Sequence, residues 1–241
     1  MKLEEYSVCL FDIEGTTTPI SFVHETLFPY SKEKIEDFIL NERLEPNTIK
    51  ELIEENRQDI TEGFFSAPIL GSDHIVNLQV LTSYLHYLIR VDRKSKPLKE
   101  IQGRIWKIGY EKGELRSILF PDVADFFSRL NDRKIKIAIY SSGSVEAQKN
   151  IFKYSNFGDL TKYISFYFDT NVGKKRESES YVEIARQLGS NPNRILFFTD
   201  IKEEADACTL AGSSVYIMNR PGNERQPAHN YPTLQDFTKL I

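Results

Sequence analysis

Cysteine is scarce in this chain, with two copies in 241 residues, and neither sits where a disulfide framework would place it. Cys9 falls inside an apolar run and Cys208 inside a helical pattern, so both read as small buried hydrophobes of a protein kept in a reducing compartment. Histidine is nearly as rare, and its four copies, His24, His74, His86 and His229, show no zinc-like spacing. Each reads as a surface or packing residue in preference to a ligand. No long run of one charge occurs either. The 31 basic and 35 acidic residues leave a formal net charge of -4, which argues against a nucleic-acid or anionic-membrane surface. Of the short lysine-rich pieces, "DRKSKP" reads as a solvated loop, while "GKKRE" has to be judged by its neighbours. No apolar stretch approaches the length that spans a bilayer, and "MKLEEYS" carries no apolar signal segment. The expectation is a cytoplasmic protein with neither nucleic acid nor membrane as a partner; nothing decides a further nuclear location. No internal repeat or low-complexity tract is present.

What the chain does have is five short apolar runs of strand type: "YSVCLFD" (6–12), "IKIAIYSS" (135–142), "ISFYFDT" (164–170), "RILFFTD" (194–200) and "SSVYIMN" (213–219). They are continuous more than alternating, the pattern of strands covered on both faces. Helical stretches fall between the later four: "SVEAQKNIFKY", "ESYVEIARQLG" with Tyr181, Ile184, Ala185 and Leu188 on one face, and "EEADACTLAG" closed by Gly212. Strand and helix in alternation predict an α/β, doubly wound parallel sheet. The gap between the first two strands is far longer than an ordinary crossover and reads as helical. Stripes fall at Ile35, Phe38 and Ile39, at Ile49, Leu52 and Ile53, and at Leu78, Leu81, Leu85 and Leu88, and "IQGRIWKIGYEKGEL" closes the insert. The expected organisation is a core of 1–19 and 117–241 with an inserted helical cap, 20–116.

In an open parallel sheet ligands bind beyond the carboxyl ends of the strands. Four of the runs end in polar residues there: Asp12 and Glu14, Ser141 and Ser142, Asp169 followed by "TNVGKK", and Asp200. Alone, "DIEGTT" is compatible with ordinary turn chemistry. Together these residues supply a carboxylate nucleophile, a second acid, hydroxyls, a lysine and a distal metal-type carboxylate, the parts of phosphoryl transfer through an aspartyl phosphate.

"DIEGTT", "IYSSGS", Lys175 ahead of "ESESY", and "TDIKEEA" occur in the order of the four motifs of the haloacid-dehalogenase-like hydrolases, and the chain resembles that superfamily throughout the sheet domain. "DIEGTTTPISFVHETLFPY", "IWKIGYEKGEL", "FPDV", "YSSGSVEAQK" and "RPGN" further resemble the acireductone synthases, the bifunctional enolase-phosphatases of methionine salvage, from about residue 8 to about 225. The resemblance implies a single Mg2+ and, as substrate, a phosphorylated diketone, 5-(methylthio)-2,3-dioxopentyl phosphate, which is enolised and then dephosphorylated; the working unit is expected to be a monomer, although the sequence itself does not encode oligomeric state. Most phosphatases of the superfamily carry Asp two positions after the nucleophile; Glu14 stands there instead, as in the enolase-phosphatases.

On this reading Asp12 is the nucleophile and Glu14 shuttles protons. Asp12, the backbone carbonyl of Glu14, and Asp200 hold the cation. Ser141 and Ser142 donate to phosphate oxygens, with capping of the following helix as their structural alternative. Lys175, where the family motif places its lysine, neutralises nucleophile and phosphate, while Lys174 and Arg176 stay solvated. Glu204 has a supporting role, and Asp169 serves either the site or its loop. His24, Phe28, Arg104 and Trp106 either shape the pocket around the organic part of the substrate or, as Phe28 and Trp106 more often would, pack in the core. The competing functions are a phosphatase of another small ester and a non-catalytic binding protein on the same fold.

Overall fold

Val8–Phe11 forms β1, whose four apolar side chains are all buried. Side chains alternate along a strand, so burial of all four requires cover on both faces of the sheet. The computed structural model describes residues 3–63, 68–70, 77–91 and 93–240, and His74 lies outside them. The chain divides into two units, Met1–Val23 with Gly113–Ile241, and His24–Lys112.

In the first unit β1 lies between β2 (Lys136–Tyr140) and β4 (Ile195–Thr199), with Phe11 in register with Ile139 on one side and Phe198 on the other. Adding β3 (Ile164–Phe168), β5 (Ser214–Met218) and β6 (Thr233–Leu234) gives the order β3-β2-β1-β4-β5-β6, every pair parallel. Cys9 and Phe11 join the core built with α6 (Val123–Asp132) and α7 (Val145–Lys153). There Phe11 stacks on Phe198 at 4.9 Å and meets Phe126 and Phe237 edge-on. Truncating a ring packed like Phe11 to alanine costs about 3–5 kcal/mol. Val8 and Leu10 join the opposite core, with Tyr181, Ile184 and Leu188 of α8 (Ser178–Leu188) and Ala205 and Cys208 of α9 (Lys202–Leu210).

The doubly wound class therefore matches the expectation. The strands are shorter than the apolar runs that predict them, and two elements lie outside the expected set: α6, and β6, which has only two residues and no run to announce it. The winding reverses between β1 and β4, so the tips of these two strands flank the topological switch point.

The second unit is reached from α1 (Ile20–Phe22) through a π-turn, Val23–Leu27. It consists of α2 (Phe28–Asn41), α3 (Pro46–Thr61), α4 (Leu78–Arg90) and α5 (Lys96–Glu111). Their stripes meet in one core of Ile35, Phe38, Leu52, Leu85, Leu88 and Ile101. Leu78 leaves the predicted stripe: it is exposed in the first turn of α4, where Asn77 caps the helix by accepting from the Gln79 amide. Inside the unit the buried Asp59 accepts from the Tyr84 hydroxyl at 2.9 Å and pairs with Arg93 at 2.7 Å. Among the described residues no helix is long and apolar enough to cross a membrane.

Candidate active site

The tip of β1 turns sharply because one carbonyl gathers three amides. Ile13 O accepts from the backbone N–H groups of Thr16, Thr17 and Thr18, and Gly15 N–H returns to Thr18 O at 2.8 Å. Gly15 adopts φ +66°, a left-handed conformation that favours glycine, and a Cβ there would lie 2.7 Å from Asp200 Cγ and 2.9 Å from Asn223 Oδ1. Thr17 closes the turn through its hydroxyl, which donates to Asp12 O and Ile13 O. The "DIEGTT" stretch is thus a loop in which the glycine is needed both for its backbone angle and for the space its missing side chain leaves to the tip of β4.

Asp12 is buried at 5% exposure. Its Oδ1 takes a 2.6 Å salt bridge from Lys175 Nζ, which also reaches Glu204 Oε2 at 2.7 Å. Glu204 in turn accepts from the Thr199 hydroxyl. The backbone that presents the lysine is held from α8, whose Tyr181 hydroxyl donates to Lys175 O and whose Ser180 hydroxyl donates to Lys174 O. Lys174 itself is exposed and extends to Glu177. Asp200, 4% exposed, follows β4 directly.

Burial raises the Asp12 carboxyl against the opposing pull of Lys175, with the Glu14 charge adding to the rise. Glu204 is raised by burial in the same way. Burial alone would lower Lys175, but Asp12 and Glu204 hold its ammonium above the ordinary lysine range. Asp200 is pushed up to about 8, by burial and then by the charges of Asp12 and Glu204. Three buried acids around one lysine leave a surplus of negative charge, and such a surplus is costly in a low-dielectric setting unless a cation joins it. Among the described residues no three His, Cys, Asp or Glu side chains converge into a ready-made chelate. The donor set therefore fits a hard divalent ion that takes oxygens from two carboxylates and a backbone carbonyl and keeps positions for water and a phosphate.

The remaining candidates are placed less centrally. Glu14 is half-buried, and its backbone bridges to Thr18. Ser141, buried at the tip of β2, accepts from Gly143 N at 3.3 Å through its hydroxyl. Ser142 is exposed, and the cap of α7 is neither of these serines but Ser144, whose hydroxyl accepts from Ala147 N. Asp169 is turned to its own loop, accepting from the backbone and side-chain amides of Asn171. Within the helical unit, His24 packs edge-on to Phe28, Phe28 lies near Trp106, and Trp106 donates to Leu27 O. Arg104 is engaged with Glu42, Arg43 O and the face of Phe38. Sequence reasoning gave Asn223 no role beyond membership of "RPGN". Its side chain donates to Gly15 O at 2.8 Å, bringing a residue from beyond β5 to the loop that follows β1.

The doubly wound sheet thus carries a lysine-paired aspartate at the strand end beside its switch point, where ligands of open parallel sheets bind. The model of the haloacid dehalogenase-like hydrolases matches residues 6–212. The chain is 56% identical over 233 residues to enolase-phosphatase E1 of Leptospira borgpetersenii, covering 97% of each chain. It is 47% identical over 216 residues to enolase-phosphatase E1 of Drosophila pseudoobscura pseudoobscura, covering 90% of this chain and 86% of that one. The crystal structure of the UTR4 protein of Saccharomyces cerevisiae superposes with a TM-score of 0.77 at 35% identity, covering 98% of this chain and 100% of the yeast chain. The protein belongs to the haloacid dehalogenase-like hydrolases and, within them, to the enolase-phosphatase E1 family.

Proposed function

We propose that this protein is a Mg2+-dependent enolase-phosphatase of methionine salvage. It converts 5-(methylthio)-2,3-dioxopentyl phosphate to the acireductone 1,2-dihydroxy-5-(methylthio)pent-1-en-3-one and phosphate. The observation that carries the reading is Lys175, its side chain 11% exposed, bridging Asp12 and Glu204 at the strand tips, in a chain so similar to enolase-phosphatases over its whole length.

Glu14, next but one to Asp12 on the same loop, takes the proton from the carbon that bears the phosphate ester, and the neighbouring carbonyl oxygen gains a proton as the enol forms. Lys175 occupies Oδ1 of Asp12, which leaves Oδ2 to attack phosphorus in line. The bond from phosphorus to the ester oxygen breaks, and that oxygen is protonated to give the second hydroxyl of the acireductone. Water then hydrolyses the aspartyl phosphate. Ser141 and Ser142 donate to phosphate oxygens, and Lys175 offsets the charge that develops there. One Mg2+ per chain, held by Asp12, the carbonyl of Glu14, and Asp200, would supply the neutralising charge that lets a phosphate dianion approach these acids.

The insert 20–116 is, on this reading, the cap domain. The working unit on this reading is a monomer. The free, buried Cys9 and Cys208 support a cytoplasmic setting.

The test is a spectroscopic assay of the diketone phosphate with and without Mg2+, following enol absorbance and phosphate release together. The expected result is that both appear only with Mg2+. Phosphate release with no enol intermediate, or equal turnover of esters that cannot enolise, would replace this reading with a plain phosphatase.

A further inference from the structure

Asn223 stands apart from the residues given a task above, and two hydrogen bonds fix how its amide is turned. Its Nδ2 donates to Gly15 O at 2.8 Å and to Met218 O at 3.1 Å. Both partners are carbonyl oxygens, so the nitrogen has to face them and the oxygen has to face away. That oxygen, Oδ1, is buried and has no hydrogen-bond partner among the described residues. It lies 2.9 Å from the point a Cβ of Gly15 would occupy, and Asp200 Cγ lies 2.7 Å from the same point. The amide oxygen and the Asp200 carboxyl therefore both border Gly15 on the side where a Cβ would stand. A buried acceptor left unmade costs about 1–3 kcal/mol. A buried amide oxygen without a partner, beside the Asp200 carboxyl, calls for a donor such as cation-held water.

We infer that Asn223 is a positioning residue of the cation site: its Oδ1 accepts from water held by the cation beside Asp200, and its Nδ2 braces the Gly15 turn that presents the carbonyl of Glu14. The inference rests on the Mg2+ reading above, and it assigns the "RPGN" stretch after β5 a task that the strand-end residues do not cover. Partners of metal ligands that do not themselves touch the metal are worth about 10–100-fold in metal affinity when removed.

Calorimetric titration of the full-length protein with Mg2+, in the absence of any phosphate compound, tests this with two variants. Asn223→Ala removes both the acceptor and the donor. Asn223→Asp keeps an oxygen toward Asp200 and loses the donor to Gly15 and Met218. The expected result is Mg2+ affinity lowered about 10–100-fold in the alanine variant, with the aspartate variant restored to within a few-fold of the parent. The rise in melting temperature on adding Mg2+ should follow the same order. Equal loss in both variants would leave Asn223 its bracing role alone, give its Oδ1 no part in the cation site and overturn the inference, as would unchanged affinity in the alanine variant. If the aspartate variant fails to fold by circular dichroism, the alanine variant decides alone, with loss supporting and retention overturning. A parent protein that binds no Mg2+ removes both this inference and the cofactor assignment, whereas a parent that binds beside an unchanged alanine variant removes this inference only.

Discussion

Two buried acids, Asp59 of the helical unit and Asp200 of the sheet unit, are handled in opposite ways. Asp59, at 1% exposure, is completed by the protein: the Tyr84 hydroxyl and the Arg93 guanidinium reach its two oxygens at 2.9 and 2.7 Å. Asp200, at 4%, has no ion pair among the described residues, because the nearby lysine is committed to Asp12 and Glu204. Its carboxyl is held at about 8, where the ionised form is expensive to keep. A buried acid paired with a cation of its own chain ties helices together. One left short of positive charge by its own chain is an arrangement that makes sense when something else arrives to complete it.

The largest effect expected from this contrast is at Asp12. Asp12→Asn should fold as the parent does but lower phosphate release by about 10⁴-fold or more, the scale seen when a nucleophile is removed. Stopped assays of phosphate with matched circular dichroism spectra check it, and a sizeable residual rate would refute the nucleophile. Lys175→Ala should cost about 10²–10³-fold in kcat, as expected for a charge-stabilising group in a preorganised site. A loss under twofold would point to Lys174 or another cation.

Glu14→Asp separates the two halves of the reaction. The shorter side chain keeps an acid near the leaving group but withdraws it from carbon, so conversion of the diketone should fall about 10²-fold while hydrolysis of a pre-formed enol phosphate falls much less. Equal loss in both assays would assign the enolising base to another group.

Arg93→Ala tests the paired cluster. It should lower unfolding free energy by about 1–3 kcal/mol by leaving Asp59 without its cation, and kcat/KM of the folded fraction should stay at the parent value; a change in kcat/KM would mean that the cluster is not purely structural. The smallest effect belongs to an exposed pair. Hydrogen bonds from Arg186 hold Glu183 down at about 2, so Arg186→Ala should move its NMR titration midpoint up toward the ordinary carboxylate range. A lowered carboxylate lends stability above its unfolded pKa and loses it as pH falls through about 2. This pair is solvent-exposed, so the melting temperature at neutral pH should not change measurably.

The features legible in the sequence were those that repeat or end abruptly. Continuous apolar runs announced β1 to β5, and the long helical gap after the first of them announced the insert. β6 was not legible because two residues, Thr233 and Leu234, make no run, whereas α6 does carry a helical stripe in Val123, Phe126, Phe127 and Leu130. At the strand ends, Asp12, Ser141 and Asp200 stand out by polarity alone. That one lysine reaches both Asp12 and Glu204 does not, since it depends on how the loop after β3 is held by Ser180 and Tyr181. The cap of α7 fell to Ser144 in place of Ser142 because one serine in a "SSGS" run cannot be told from another until the backbone angles are known. Asn223 acts on a turn 208 positions away in sequence, a relation that no local pattern encodes.

The central claim is that the surplus of buried acid at the strand tips is a nucleophile's site, with Asp12 receiving the phosphoryl group. Rapid acid quenching of the parent enzyme during turnover of phosphate-labelled 5-(methylthio)-2,3-dioxopentyl phosphate, followed by proteolysis and location of the label, tests it most directly. The account predicts an acyl phosphate on the peptide that carries Asp12, absent from Asp12→Asn. Turnover without any labelled peptide, or with the label on another residue, would contradict it.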